Sequence, residues 1–577
     1  MSENYMEYYR QWLESPYLDE ESRKELLALK GDRAEIELRF LGYLEFGTGG
    51  LRGTMGAGTN KMNVYTVAHA TQGMAEMILL EGQDAAARGV VIAYDSRNNS
   101  EQFARTAASV LSANGIRAYI FDGVRPTPEL SFAIRELGCI AGINITASHN
   151  PKEYNGYKAY WEDGAQLPPE HADMISAKIR EIDIFKDVRR EDFDDAVASG
   201  KIRIIGGEID EKYLDNVLAQ RVNKEAIPAA ADTLRVVYTP LHGAGYRLVP
   251  EVLRRSGLKH LYTVEEQMAL DGNFPTVKKP NPELPEAFAL GIRLADAVQS
   301  DMIVATDPDS DRMGAMTRAA DGAFVAITGN QMAALLLDYI FTALREGGGI
   351  PVDGYAVKTI VSTELATAIC RANGVKLYNV LTGFKFIGEV IKNHEACGEG
   401  TFLFGFEESY GYLKGTYARD KDAVCAAMLA VEMAAYYKAK NMTLYDALQS
   451  IYARYGYYGE KSLDVYMEGL DGIARRTATM QALRNDPPRE IGGCAVAYIG
   501  DYEAETIVYL ADGRRESTGL PKSDVLYYGL ENGDVAVVRP SGTEPKIKIY
   551  YLAGAPDADA LSEKLRVYAA ETSRLVK

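Results

Sequence analysis

Asp307, Asp309 and Asp311 alternate along Asp307-Pro308-Asp309-Ser310-Asp311-Arg312. In an extended loop, alternate residues point to one side, so the three carboxylates can converge. Converging carboxylates repel one another unless a cation lies among them. Oxygen ligands alone suit Mg²⁺, which keeps positions for phosphate oxygens or water. An EF-hand calcium loop starts with the same spacing, but it requires glycine sixth and glutamate twelfth. Here those positions are Arg312 and Arg318. Arg312, next to the cation, suits a phosphate oxygen instead.

A second stretch, Thr146-Ala147-Ser148-His149-Asn150-Pro151, follows an apolar run over 140–145 that reads as a buried strand. A serine at the carboxyl end of such a strand sits where open α/β sheets place their chemistry. No Gly-x-Ser-x-Gly elbow surrounds Ser148, which argues against a serine hydrolase. His149, adjacent in sequence, is not expected to face the Ser148 hydroxyl as a triad base. A third stretch, Arg539-Pro540-Ser541-Gly542-Thr543, combines a guanidinium, two hydroxyls and backbone N–H groups that glycine lets approach an anion. Lys546 either adds charge there or lies in solvent on the strand over 546–551.

Three further stretches complete a pattern. They are Phe46-Gly47-Thr48-Gly49-Gly50-Leu51-Arg52-Gly53, Thr382-Gly383-Phe384-Lys385 and Gly405-Phe406-Glu407-Glu408-Ser409-Tyr410-Gly411. In content and order these pieces resemble the α-D-phosphohexomutase superfamily over essentially the whole chain. Within it the chain is most similar to the branch of bacterial α-phosphoglucomutases that also holds phosphopentomutases. The resemblance implies that Ser148 carries a phosphoryl group and gives it to a sugar phosphate. One Mg²⁺ per chain would be held by Ser148, Asp307, Asp309 and Asp311. A phosphoserine bears about −1.5 to −2 charges, which Mg²⁺ and Arg312 can offset.

Lys158 matches the lysine that the family uses near the transferred group, and is the leading general acid/base. His149 is the second candidate. A lysine serves as a base only if its pKa is lowered, by burial or by close cations such as Arg52 and Arg312. By the same resemblance, Glu407 and Ser409 contact ring hydroxyls, and Lys385 and Arg419 are phosphate or hydroxyl contacts. Arg539, Ser541, Gly542 and Thr543 hold the phosphate that does not react.

The activity so implied is reversible interconversion of α-D-glucose 1-phosphate and D-glucose 6-phosphate, with glucose 1,6-bisphosphate as intermediate and activator. Phe406 stands where many glucomutases have glycine, so a phosphopentomutase or phosphomannomutase remains an alternative. A catalytically inactive sugar-phosphate-binding protein would have lost the nucleophile or a metal ligand, and none is missing. A hydrolase using the same cation site would release free phosphate with the sugar.

The elements that must position these residues are legible as repeated strand–helix order. Apolar runs over 90–94 and 116–121 read as strands, with helices over 104–114 and 130–137 stopped by Gly115 and Gly138. The pattern restarts at the strand over 234–238 and leads through 302–305 into the Asp loop. A third round runs from the helix after Asn330, through 356–361, to the helix after Asp422. Short strands over 494–499 and 507–510 precede a helix from Asp557. The first ~45 residues have a charged helical pattern. Asp95 and Arg97 read as a structural ion pair behind the serine loop, and His242 as a turn or packing histidine.

Strand–helix alternation predicts mixed, largely parallel sheets. With the resemblance, this gives three similar α/β domains over 1–205, 206–322 and 323–455. A smaller C-terminal α+β domain over 456–577 follows, all four around a central cleft. A length of 577 residues is too great for one core. The net charge of −18 argues against a general binder of nucleic acid or anionic membrane, and requires cations to gather locally around phosphate. The start of the chain is acidic and lacks an apolar core, so no secretory signal is expected. No uncharged apolar run reaches membrane-spanning length. The five cysteines (139, 370, 397, 425 and 494) form no Cys-x-x-Cys pair, which suits reduced thiols in a cytoplasm. Monomer and dimer both remain open.

Overall fold

In the computed structural model, which describes residues 4–47, 49–467, 472–541 and 546–576, the expected strands are present with ends moved by two residues or fewer, except that the strand over 546–551 runs on to Ala555. The chain forms two units. The first comprises 1–328, 391–396 and 410–443, and the second 329–390, 397–409 and 444–577.

The first unit holds two mixed sheets. One runs in the order Leu51–Thr54, Tyr154–Trp161, Ala141–Ile145, Val90–Tyr94, Ala118–Phe121 and Ile202–Ile205. Its last four strands are parallel, and the first two pair antiparallel. The serine strand is buried on both faces, as a continuous apolar run requires. Ala141, Ile143 and Ile145 join a core with helices Val64–Leu80 and Ser100–Ala113. Gly142 faces helix Thr127–Glu136 so closely that a Cβ would lie 2.3 Å from Ile134. Helices Asn4–Glu14, Glu20–Ala28 and Arg33–Phe40 fold ahead of this sheet and bury Trp12, Leu26 and Phe40 with Tyr65.

The second sheet runs Phe324–Ile327, Met313–Arg318, Met302–Thr306, Arg235–Thr239 and His260–Thr263. Met302–Thr306 is wholly buried and ends at the Asp loop. Helix Ala423–Lys438 packs on this part of the unit and is buried nearly throughout.

In the second unit, Lys376–Val380, Gly354–Thr359 and Thr401–Glu407 pair in parallel, with Gly329–Glu346, Leu365–Asn373 and Leu444–Tyr455 as helices. An antiparallel sheet then runs Tyr457–Tyr466, Lys546–Ala555, Val535–Pro540, Leu526–Leu530, Cys494–Asp501, Thr506–Tyr509 and Arg515–Ser517. Helix Ala558–Leu575, capped by Asp557, packs on it. This is the α+β segment expected at the end of the chain. No helix among the described residues is long and apolar enough to cross a membrane.

Candidate active site

Ser148 lies just past the end of its strand with a left-handed φ of +52°. Its N–H donates to Thr146 Oγ1 at 2.8 Å, and that hydroxyl donates to Asp95 Oδ2 at 2.6 Å. Arg97 reaches under the loop. Its guanidinium donates to the Ser148 carbonyl at 2.6 Å, to those of Pro151 and Tyr154 at 2.9 and 3.0 Å, and to that of Asn150. Arg97 and Asp95 are an ion pair at 3.2 Å with both side chains fully buried, so the loop is fixed from behind.

The Ser148 hydroxyl donates to Asp307 Oδ2 at 2.7 Å, and His149 Nδ1 lies 3.3 Å from Ser148 Oγ. His149 thus faces the Ser148 hydroxyl, contrary to expectation, but the serine proton goes to Asp307 and not to the ring as in a triad. The left-handed backbone at Ser148 turns consecutive side chains toward one another.

Asp307, Asp309 and Asp311 converge, with ligand oxygens within 4.8 Å of one another and all three side chains buried. At least one oxygen of each carboxylate is held by the protein. Asp307 Oδ1 accepts the N–H groups of Asp311 and Arg312 at 3.1 and 3.0 Å. Asp309 Oδ2 accepts from Thr127 Oγ1 at 2.8 Å and Lys158 Nζ at 2.6 Å. Asp311 Oδ2 accepts from Lys158 at 3.1 Å and faces Lys421 Nζ at 3.3 Å. The other oxygens of Asp309 and Asp311 are buried without a hydrogen-bond partner. With Asp307 Oδ2 and Ser148 Oγ they make an all-oxygen donor set that fits a hard divalent cation.

Burial first, then the charges of Asp309 and Asp311, push the Asp307 carboxyl well above its usual range, against the pull of Arg312 and Ser148. Burial also acts on Asp311, but Lys158, Lys421 and Arg312 outweigh it and hold that carboxyl below its usual range. Burial presses Lys158 down, yet Asp309 and Asp311 more than offset this, so its ammonium is held up. The lowered lysine expected from neighbouring cations is therefore not found, because its nearest partners are carboxylates. Burial, Arg312 and Arg52 hold His149 well below the usual histidine range, leaving a neutral ring.

Arg312 Nη1 bonds Glu283 at 2.6 Å, and Arg52 Nη1 reaches Asn150 Oδ1 at 3.4 Å. Arg419 is buried and bonded to Glu395 and the Thr416 carbonyl. It anchors the segment that delivers Asp420 and Lys421, which pair at 2.9 Å. His242 bonds the Ala269 carbonyl and Thr276, as a turn histidine would.

In the second unit, Glu407 ends strand Thr401–Glu407 and accepts the Gly383 N–H at 3.0 Å. Ser409 follows two residues later. Burial lowers Lys385, whose ammonium lies 4.9 Å from the Phe386 ring centroid. Phe406 is buried and stacks on Phe404 at 5.9 Å. Arg539 sits in strand Val535–Pro540, and the Ser541 N–H donates to the Lys546 carbonyl at 2.9 Å. Lys546 pairs with Asp464 at 3.0 Å. Gly542 and Thr543 lie outside the described residues.

Sequence profiles of the phosphoglucomutase/phosphomannomutase α/β/α domains I, II and III match residues 43–185, 211–322 and 328–455. The chain belongs to this family. A phosphoglucomutase of Staphylococcus saprophyticus is 38% identical over 525 residues, covering 91% of this chain and 93% of that protein. One from Staphylococcus aureus is 36% identical over 542 residues, covering 92% and 94%. Among solved structures, the open form of the Paramecium phosphoglucomutase parafusin superposes with a TM-score of 0.67 at 18% identity, covering 92% of this chain and 95% of that one. A phosphoglucomutase/phosphomannomutase family protein of Burkholderia thailandensis gives 0.65 at 17%, covering 92% and 97%. These two likenesses concern the fold.

Three contributors lie outside the family pattern legible in the sequence. Thr127, Lys421 and Asp420 meet the Asp loop or its partners only through the fold. The signal for Lys421 was available: a lysine between two aspartates just before a buried helix is an unusual place for a surface charge.

Proposed function

We propose that this chain interconverts α-D-glucose 1-phosphate and D-glucose 6-phosphate by way of phospho-Ser148 and glucose 1,6-bisphosphate. The observation that carries this reading is the Ser148 hydroxyl, 2.7 Å from Asp307 and beside three buried carboxylates whose ligand oxygens lie within 4.8 Å of one another. Phosphoglucomutases at 36–38% identity over most of the chain support the choice of sugar.

Ser148, Asp307, Asp309 and Asp311 would hold one Mg²⁺, which supplies charge neutralisation at the transferring phosphoryl group. A free sugar hydroxyl attacks the phosphorus of phospho-Ser148, the bond to the serine oxygen breaks, and the bisphosphate forms. Its other phosphoryl group then returns to Ser148, so the enzyme is restored. The attacking hydroxyl gives its proton to a base, and the departing serine oxygen takes one back. Neutral His149, at 3.3 Å, can exchange a proton at the serine oxygen. Once the charges of Asp309 and Asp311 are neutralised, burial, the largest influence on Lys158, favours its uncharged form. Arg312 and Arg52 offset phosphate charge.

Glu407 and Ser409 are assigned to the sugar hydroxyls, and Lys385 to a hydroxyl or phosphate oxygen. Arg539, Ser541, Gly542 and Thr543 are assigned to the non-reacting phosphate. Arg419 acts through the segment it anchors. The functional division follows 1–205, 206–322, 323–455 and 456–577, carrying the serine, metal, sugar and phosphate loops. Bisphosphate lost to solvent would leave bare Ser148, so added glucose 1,6-bisphosphate activates. Free thiols at all five cysteines suit the cytoplasm.

A second reading keeps the chemistry and changes the sugar to a pentose or mannose, on the strength of Phe406 before Glu407. The ratio of kcat/KM for glucose 1-phosphate to that for ribose 1-phosphate, with Mg²⁺ and activator, decides. A ratio well above one is expected, and a ratio below one makes the protein a phosphopentomutase.

A further inference from the structure

Asp309 is held by a second strand–helix pair that the reaction scheme does not use. Thr127, at the start of helix Thr127–Glu136, donates its N–H to the Asp309 carbonyl at 2.8 Å and its hydroxyl to Asp309 Oδ2 at 2.8 Å. Asn144, on the serine strand, donates Nδ2–H to Thr127 Oγ1 at 2.7 Å. All three side chains are fully buried. The Thr127 hydroxyl has one proton, and an ionised carboxylate can only accept, so that proton must go to Asp309. The amide nitrogen of Asn144 must then face Thr127, which fixes the direction of the relay. Asn144 is also the cross-strand partner of Lys158, the other donor to Asp309 Oδ2. Adjacent strands thus act on one carboxylate oxygen, one directly and one through Thr127.

We infer that Thr127, oriented by Asn144, is a positioning residue of the metal centre. It holds Oδ2 of Asp309 so that Oδ1, buried and without a hydrogen-bond partner, is the oxygen offered to the cation. This rests on the proposed metal-binding role of the Asp loop. A group that orients a ligand from behind changes metal affinity by about 10–100-fold when removed.

The test is Mn²⁺ binding to the full chain, read as free Mn²⁺ by electron paramagnetic resonance, with circular dichroism as the check on folding. Thr127→Val removes the donor at nearly constant volume and should weaken Mn²⁺ binding about tenfold or more. Thr127→Ser restores the donor and should restore wild-type affinity. Asn144→Ala should weaken binding in the same direction by less, and it carries the test if Thr127→Val does not fold. Wild-type affinity in folded Thr127→Val, or in Asn144→Ala, overturns the inference. So does a Thr127→Ser protein as weak as Thr127→Val, because the methyl group rather than the hydroxyl would then matter. If Asp309→Asn binds Mn²⁺ as the wild type does, the metal reading itself fails, which the Thr127 variants alone would not reveal.

Discussion

At Ser148 three local facts converge: a left-handed backbone, an N–H held by Thr146, and a carbonyl held by Arg97. The motif around the serine was legible because it is contiguous. The direction of its hydroxyl was not, because Asp307 arrives from another sheet. The same holds for Lys158, whose strand was not singled out and whose pKa depends on carboxylates far along the chain.

A buried group outside the site gives a prediction at this scale. Burial first, then Asp210, pushes the Glu129 carboxyl well above its ordinary value of 4.5, against Arg125 and Arg247. With the folded pKa above the unfolded one, the folded state binds more protons. Its stability is therefore greatest below the unfolded value and falls as pH rises through the folded pKa. Glu129→Gln should flatten that fall. Thermal midpoints measured at a series of pH values upward from 4.5 should decline less in the variant than in the wild type, and parallel declines would refute the assignment.

Loops at strand ends carry the site, and close packing behind them sets their position. Gly243 is one such point, where a Cβ would lie 2.3 Å from Pro308 Cα and 2.7 Å from its carbonyl oxygen. The Ala244 N–H also donates to that carbonyl at 2.7 Å. Gly243→Ala must therefore displace the Asp loop, at a cost of about 1–3 kcal/mol. A lower thermal midpoint and a higher Mg²⁺ concentration for half-maximal activity are expected. An unchanged Mg²⁺ requirement would mean that the loop adapts without moving its carboxylates.

Strand positions were legible because wholly buried strands are continuous apolar runs bounded by turn residues. Helix starts were less so. The helix expected from Ala104 begins at Ser100, after Asn99 in a left-handed conformation with no side-chain cap. The helix expected from Leu130 begins at Thr127, after Pro126, and that first turn is the one that touches Asp309. At neither start does the N-cap side chain bond the first turn.

Across the molecule, a net charge of −18 coexists with Lys158, Lys421, Arg312 and Arg97 gathered about one set of carboxylates. The assignment of 410–443 to the first unit was not legible. Helix Ala423–Lys438 is buried nearly all round, so no single apolar face announced its neighbours. Because the Asp loop and Ser148 both belong to the first unit, the cation should stabilise that unit by binding only its folded form. At about 100 times the dissociation constant, this amounts to about 2.7 kcal/mol. Calorimetry with and without Mg²⁺ should show the shift, and Asp307→Asn should abolish it. An equal shift in that variant would place the effect elsewhere.

The proposed reaction turns on a phosphoryl group carried by one serine. Enzyme treated with glucose 1,6-bisphosphate should be digested and its peptides weighed, before and after glucose 1-phosphate is added. The predicted result is one phosphoryl group on the peptide containing Ser148, discharged by the sugar phosphate, and neither labelling nor turnover in Ser148→Ala. Full turnover in Ser148→Ala, or turnover by wild type that never carries phosphate at Ser148, would contradict it.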